Sequence, residues 1–455
     1  MKLRTLVIIW CVIFSGAIYA QDEFTVTLYG KGFLSDSLNS FWSYNTTHGL
    51  VTPNTIAMGS ITPFYSHTFK NEDVLTVGGS LYYAINRDEE DDWAPNQYFV
   101  AWQHEKLLVT LGARQAAERF RGLSAVAGDI LWSNNARAMP GVKLETAESV
   151  RVMNNFSIDA GIAHYYTLDD RVIDNAFVHH KFLQVNFDMS SRSTLSLGGH
   201  HYAQWGGESD RFGQQPQGFG DFFEIFLGGG EEANPDVNNP QNALGNHIGS
   251  YRVQFAQQFQ TSNLRFYHQS LFEDRPGFRL ENFPDGVWGA FLEIPKNRIF
   301  QYFLYEYVQT TARSGGDPAL GFDNYFNNST YESGWTHFNS TIGLPFITAN
   351  RNGEGVTNNV LRAHHIGVAG GIPNFDYQVK GSYVQNLGLN GDPNSRESND
   401  FYTYLQVRYE TFNWGRWGLS VGYDINELRQ NDITVGLEYQ YVIDLFGHDR
   451  CWCYH

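Results

Sequence analysis

The chain has 455 residues, and its 48 Asp and Glu outnumber 31 Lys and Arg, giving a formal net charge of −17. That acidic excess excludes a nucleic-acid surface, which needs clustered cations against phosphates. Gly is abundant (45), Pro is sparse (14), and there are 34 Phe, 26 Tyr and 11 Trp, yet mean hydropathy is only −0.37, a balance that fits neither a helical membrane protein nor a disordered chain.

Lys2 and Arg4 precede an apolar run, Leu6 to Ile18, that is shorter than the ~20 residues a spanning helix needs. The run leads into Ala17-Ile18-Tyr19-Ala20, loosely the small-residue pattern of a cleavage site. Residues 1–20 therefore read as a secretory signal, with Gln21 starting a mature chain two charges more negative still. Cys11 sits inside the run without the small-residue context of a lipid attachment site. Only Cys451 and Cys453 then remain, so no disulfide framework is expected. No later apolar run is long enough for a helical span.

From residue 22 onward the dominant signal is alternation, which sends successive side chains to opposite faces of a strand. Leu183, Val185 and Phe187 oppose Gln184, Asn186 and Asp188, and Tyr251, Val253 and Phe255 oppose Arg252 and Gln254. Phe401, Thr403, Leu405, Val407 and Tyr409 alternate with Tyr402, Tyr404, Gln406, Arg408 and Glu410, and Val435, Leu437, Tyr439 and Tyr441 with Gly436, Glu438 and Gln440. In chain order the pattern predicts eighteen strands: 22–33, 54–67, 73–86, 96–104, 106–112, 141–152, 156–166, 176–188, 193–203, 246–259, 262–272, 287–295, 299–311, 361–372, 374–386, 400–411, 415–425 and 432–443. Segments of about ten residues are what a tilted strand needs to cross hydrocarbon.

The connections sort by length. Short ones fall at 68–72, 105, 153–155, 189–192, 260–261, 296–298, 373 and 412–414. Longer ones fall at 34–53, 87–95, 113–140, 167–175, 204–245, 273–286, 312–360, 387–399 and 426–431, and the two classes alternate. A soluble sandwich has no reason to sort loops by parity, whereas an outer-membrane barrel has short turns on one side and long loops on the other. The expected fold is thus an all-β transmembrane antiparallel barrel of about eighteen strands over 21–443, with residues 444–455 as a C-terminal tail. Segment 113–140 breaks the alternation. Gln115–Arg121 and Ser124–Leu131 look helical or irregular, and the segment is placed to enter the lumen as a plug.

The long segments carry a resemblance. They run from Gly122-Leu-Ser-Ala-Val-Ala-Gly-Asp-Ile-Leu-Trp-Ser-Asn-Asn-Ala-Arg-Ala-Met-Pro140 through Gln204-Trp-Gly-Gly207 and Gly245-Asn-His-Ile-Gly-Ser-Tyr251 to Phe272-Glu-Asp-Arg-Pro-Gly-Phe-Arg-Leu-Glu-Asn-Phe-Pro-Asp-Gly-Val-Trp-Gly289. Tyr305-Glu-Tyr-Val-Gln-Thr310, Asp323-Asn-Tyr-Phe-Asn-Asn328, Tyr331-Glu-Ser-Gly-Trp335 and His364-His-Ile-Gly367 follow. As an ordered set, from about residue 40 to 372, this resembles the capsule assembly Wzi-like family of Gram-negative outer membranes, in the form found in Bacteroidetes. The resemblance implies an eighteen-stranded, internally occluded barrel. It also implies a surface lectin that anchors capsular or extracellular polysaccharide and is not an enzyme. The chain departs from the family in its loop lengths and its Cys-bearing tail.

A surface lectin holds sugars with aromatic faces against pyranose C–H groups and with fixed carboxylate, amide and guanidinium groups on hydroxyls. Loop 312–360 offers Asp323, Tyr325, Asn328, Tyr331 and Trp335; loop 204–245 offers Trp205 and Arg211; loop 273–286 offers Asp274, Arg275, Arg279 and Asp285. These are the candidate polysaccharide-binding residues. The competing expectation is that the same side chains pack the loops into a lid. Glu306, Arg408 and Glu410 are expected to form a lumenal charge network. The pairs His179-His180, His200-His201 and His364-His365 sit in strands, so the members of each pair point to opposite faces and do not chelate together. The acidic run Asp88–Asp92 reads as a solvated loop, with Ca²⁺ bridging as the alternative. In the tail, His448, Cys451, Cys453 and His455 offer soft ligands, but a frayed end or an intermolecular disulfide is the simpler reading. No cofactor or metal is expected. The expected partners are polysaccharide and outer-membrane lipid, at the cell surface. Two rival functions remain open at this point: a diffusion channel through the polar lumen, and an outer-membrane hydrolase acting on glycan or lipid.

Overall fold

A computed structural model of the chain describes residues 22–87, 90–228, 244–273, 280–297, 299–313 and 323–446. Eighteen staves close into one antiparallel barrel. The first nine are β1 (Asp22–Ser35), β2 (Thr55–Thr68), β3 (Val74–Asn86), β4 (Asp92–His104), β5 (Leu107–Ala113), β6 (Pro140–Thr146, resuming at Val150–Met153), β7 (Phe156–Tyr166), β8 (Phe177–Ser190) and β9 (Ser193–Trp205). The rest are β10 (Asn246–Gln258), β11 (Asn263–Ser270), β12 (Gly286–Glu293), β13 (Tyr302–Gln309), β14 (Leu361–Ile372), β15 (Phe375–Asn386), β16 (Ser398–Thr411), β17 (Gly415–Ile425) and β18 (Asp432–Asp444). Each stave pairs with its sequence neighbours, and β18 returns to β1 in the register Thr25↔Asp444 to Ser35↔Thr434. Closure leaves no row of unpaired backbone groups, which is the condition for strands to stand in hydrocarbon.

Alternation decides which face meets lipid. On β16, Phe401, Leu405 and Tyr409 point outward and stay exposed, while Tyr402, Tyr404 and Gln406 are buried inside. On β17, Trp417, Leu419, Val421 and Tyr423 are outward, and Ser420 and Asp424 inward. Repeated around the barrel, this makes a continuous apolar outer surface far beyond what a water-soluble protein leaves uncovered.

The strand count agrees with the alternation, but several ends move. The fourth strand begins at Asp92 rather than 96, because Trp93 and Ala94 pair with Tyr83 and Tyr82, and Pro95 is absorbed opposite Leu81 where the register shifts. The predicted loop 87–95 shrinks to 87–91. The thirteenth strand begins at Tyr302, so the turn before it lengthens to 294–301. Loop length therefore does not separate the two ends at every position. What separates them is that the longest connections fold over or into the barrel.

Three of these connections fill the lumen. Residues 114–139 enter it between the short staves β5 and β6. They are irregular apart from one 3₁₀ turn, Phe120–Gly122, so the helical alternative for this segment does not hold. Positive φ at Phe120, Arg121, Gly122, Ala127 and Gly128 forbids a continuous helix there. The first long loop brings the short helix α1 (Phe41–Tyr44), whose Phe41 ring stacks on Tyr402 at 4.1 Å. The loop after β13 adds Trp335, Leu344, Phe346 and Ile347. With Ile130 and Leu131 of the plug and Val178, Tyr202 and Val308 of the wall, they make one buried apolar core across the lumen. Two wall glycines make room for it: a Cβ at Gly367 would press on Leu123, and one at Gly422 would collide with the Ser40 hydroxyl.

One long loop does something else. Helix α2 (Phe219–Leu227) lies against the outer wall, with Phe222 and Phe226 on the ring of His179 at 5.5 and 5.4 Å. Its opposite side, Phe219, Phe223 and Leu227, is exposed alongside the apolar belt.

Candidate functional site

The plug is held by polar side chains that alternation aims inward. Glu306 of β13 is fully buried. Its Oε1 accepts the hydroxyls of Ser124 (2.6 Å) and Tyr267 (2.6 Å), and its Oε2 accepts the Ala125 N–H (2.8 Å). His365, its cross-strand neighbour on β14, donates from Nε2 to the Leu123 carbonyl at 2.7 Å. The His365 Nδ1 lies 2.8 Å from the Ser382 hydroxyl, which in turn accepts the Trp42 indole N–H at 3.0 Å. Gln269 of β11 accepts from the Ile130 N–H and donates to the Gly128 carbonyl, and the Trp335 indole N–H donates to the Leu131 carbonyl at 2.7 Å. An irregular backbone has no ladder of its own, so these side chains supply the partners its buried amides require. The expected charge network of Glu306, Arg408 and Glu410 is not assembled: Arg408 pairs with Asp376 at 2.7 Å and Glu410 with Arg416 at 2.8 Å, both apart from Glu306.

Most of the candidate sugar-binding residues turn out to hold the loops together. Trp205, the last residue of β9, has outward parity and is buried beneath α2 against Ala203, Ile225 and Leu244. Trp335 and Tyr325 are fully buried in the lumen core. Asp285 is buried and gathers the N–H groups of Thr311, Ala312 and Arg313 at 2.8–3.0 Å plus the Tyr325 hydroxyl at 3.0 Å. Burial raises its pKa against the pull of those donors. Asp323 accepts from Asn282, and Asn328 caps its own turn through Thr330 and Tyr331. The Tyr331 hydroxyl donates to the Gly206 carbonyl at 3.2 Å. Apart from the half-buried Asn328, side chains so enclosed present no face to a polymer outside. Arg211 is the exception. It stands at the surface with its side chain 68% exposed, paired to Glu332 at 2.7 Å and lying 4.8 Å from the Phe212 ring. Asp274, Arg275 and Arg279 lie outside the described residues, as do Cys451, Cys453 and most of the tail.

The lid contains two histidines, half-buried His48 and fully buried His337, whose pKa values desolvation lowers to about 4. His337 sits beside Asp169. Burial works to raise that carboxyl, but Arg171 and His337 win and hold it below its ordinary value. The histidine pairs divide as alternation requires: His180 and His200 line the lumen 3.1 Å apart, while His179 faces the outer wall. Of the acidic run, Glu90 and Asp91 are exposed, as a solvated loop would be, with Asp91 accepting from Tyr83, while Asp92 is half-buried and accepts from Tyr82 and Arg137.

A cavity of about 930 Å³ lies below the plug, on the lumen side of β5–β12 and reaching to the short-turn ends at Leu108 and Glu293. The plug contributes Arg114, Arg119 and Arg121, and the wall Arg252 and the rings of Tyr165, Phe182 and Tyr202. Alternation puts Arg252 on the polar face of β10, but nothing in its sequence neighbourhood gives it a role. The plug arginines carry no periodic signal, so their convergence appears only in three dimensions.

Residues 123–435 match the family described as capsule assembly protein Wzi. This chain belongs to that family. The matched span opens at Leu123, whose carbonyl His365 holds, and ends within β18, so the Wzi family match covers much of the plug and most of the wall. Among solved structures, the fold is similar to Wzi from Escherichia coli, described as an outer-membrane protein involved in group 1 capsule assembly and a carbohydrate-binding β-barrel. That match has 13% identity and a TM-score of 0.59, and covers 92% of this chain and 84% of that one. OprD from Pseudomonas aeruginosa matches with 10% identity and a TM-score of 0.50 over 96% and 97% of the two chains. OccK3 from the same organism matches with 11% identity and a TM-score of 0.50 over 93% and 96%. At these identities the likeness is one of fold. No match was found among curated proteins by sequence. The closed barrel, its apolar belt and its Wzi family membership make this an outer-membrane protein.

Proposed function

We propose that this protein binds capsular or extracellular polysaccharide at the cell surface and holds it there, without turning it over. The observation that carries the reading is the filled lumen. Three long connections are packed into one core and fastened to the wall through Glu306, His365 and Gln269, which suits a fixed platform rather than a conduit. Family membership supports the capsule role, and the carbohydrate binding described for the Escherichia coli barrel points the same way. On this reading Trp205, Tyr325, Trp335, Asp285, Asp323, Asn328 and Tyr331 set the shape of the lid, and contact with polymer falls to the exposed Arg211 and Phe338 with the half-buried Phe212 and Glu332 beside them. A ring face beside a guanidinium–carboxylate pair is a suitable surface for a pyranose.

The test is retention of polysaccharide on cells with and without the gene, together with a glycan array on detergent-purified protein. Loss of the gene should release polymer into the medium. Unchanged retention with no binding on the array would defeat the proposal.

A further inference from the structure

The cavity below the plug has a charge arrangement unlike the rest of this acidic chain. Three of its cations are cancelled locally: Arg252 by Asp129 (2.7 Å), Lys143 by Glu145 (2.7 Å) and Arg265 by Glu293 (3.6 Å). Asp159 is occupied by Ser149 and Asn186 at 2.7 and 2.6 Å. Glu118 lies within electrostatic reach of Lys380 and Arg408 on the far wall. Arg119 and Arg121 have no carboxylate partner among the described residues, and Arg114 feels only Glu145, which Lys143 already pairs. Arg114 and Arg121 instead lie over the rings of Phe99 (4.8 Å) and Tyr302 (4.9 Å).

The same cavity is lined by the half-buried rings of Trp132, Tyr165, Phe182 and His200, backed by the buried Tyr202 and His180. Trp132 packs on Tyr165 (4.9 Å) and Tyr202 (5.6 Å), Tyr202 stacks on His180 (4.1 Å), and Phe182 stacks on His200 (5.1 Å). Guanidinium groups bind carboxylates through paired N–H donors, and flat rings cover the C–H faces of sugars. A simple anion would engage the first feature and leave the second idle, and a neutral sugar the reverse. The volume is within the range of small-molecule sites.

We propose that this cavity is a binding site for a short carboxylate-bearing oligosaccharide, admitted from the short-turn side of the barrel. It lies across the plug from the lid, so it stands or falls separately from polymer binding at the surface.

The experiment is calorimetric titration of the full-length, detergent-purified protein with tri-galacturonic acid, maltotriose and inorganic phosphate. Tri-galacturonic acid should bind, maltotriose at least tenfold more weakly, and phosphate should not displace the trisaccharide at equal concentration. The double variant Arg114→Gln/Arg119→Gln alters two exposed side chains of the plug and should weaken tri-galacturonic acid at least tenfold, while Arg396→Gln in the exposed loop after β15 leaves it unchanged. Leu108→Trp, which narrows the cavity without touching a cation, should also weaken it at least tenfold and guards against misfolding of the double variant. Absence of binding, equal binding of maltotriose, full displacement by phosphate, or indifference to both cavity variants would overturn the proposal.

Discussion

Glu306 and Ser124 meet at 2.6 Å although 182 residues separate them in the chain, and through this contact the barrel wall grips the segment that fills it. Replacing Glu306 by Ala strands the Ser124 and Tyr267 hydroxyls and the Ala125 N–H, each at a cost of about 1–3 kcal/mol. The plug should loosen before the barrel does. In planar bilayers the wild-type protein should give no steady open-pore current, and Glu306→Ala intermittent current. Replacing residues 115–139 by a short Gly-rich linker should give sustained current. A silent deletion variant that is correctly inserted would show that the other two loops seal the lumen without the plug.

Trp335→Ala removes a fully buried indole from the lumen core together with its bond to Leu131. The expected loss is about 3–5 kcal/mol, read as a lower temperature for heat-modified gel migration. Arg211→Ala at the exposed pair with Glu332 should stay within about 1 kcal/mol of wild type while reducing polysaccharide capture. Stability and capture should therefore separate between these two positions.

The lid should be acid-labile. The pKa values of His48 and His337 fall from an ordinary 6.5 to about 4 in the fold, so below 6.5 the unfolded loops take up protons that the folded lid refuses. Their contribution is complete above pH 6.5 and declines as pH falls from there towards 4. Limited proteolysis should cut the loops faster at pH 5 than at pH 7 while the staves stay resistant. His337→Gln, which keeps a donor for the Arg137 carbonyl, should flatten part of that dependence.

Gly422 faces the lumen where helix α1 docks. A Gly422→Val side chain would displace Ser40 and with it the Phe41–Tyr402 stack. Amide exchange across residues 39–45 should rise, with the strand pairings of β17 retained. Unchanged protection there would mean the loop tolerates the intrusion.

The barrel was readable from sequence because period-two alternation is imposed by lipid on one side and by a polar interior on the other, and it survives a Pro within β4. The lid was not. Trp335 and Tyr325 were singled out because flat aromatic side chains in a loop suit a sugar, but the same property suits a core, and only the folded course of residues 323–360 shows that they face inward. Trp205 followed its strand's parity to the outer wall, where α2 covers it. Arg114, Arg119 and Arg121 lie in a segment with neither helical nor strand period, so nothing local revealed that they converge.

The side chains that grip the plug come later in the chain than the plug itself: Gln269 on β11, Glu306 on β13 and His365 on β14. Residues 114–139 therefore have no fastening among the five staves that precede them through these three side chains, and each contact spans well over a hundred residues. The β1–β18 seam joins the first stave to the last, so the ring that encloses the plug is complete only with both ends of the sheet present. The plug and its fastenings thus meet across the ring and not along the chain, so neither half of the barrel holds the means to seal itself.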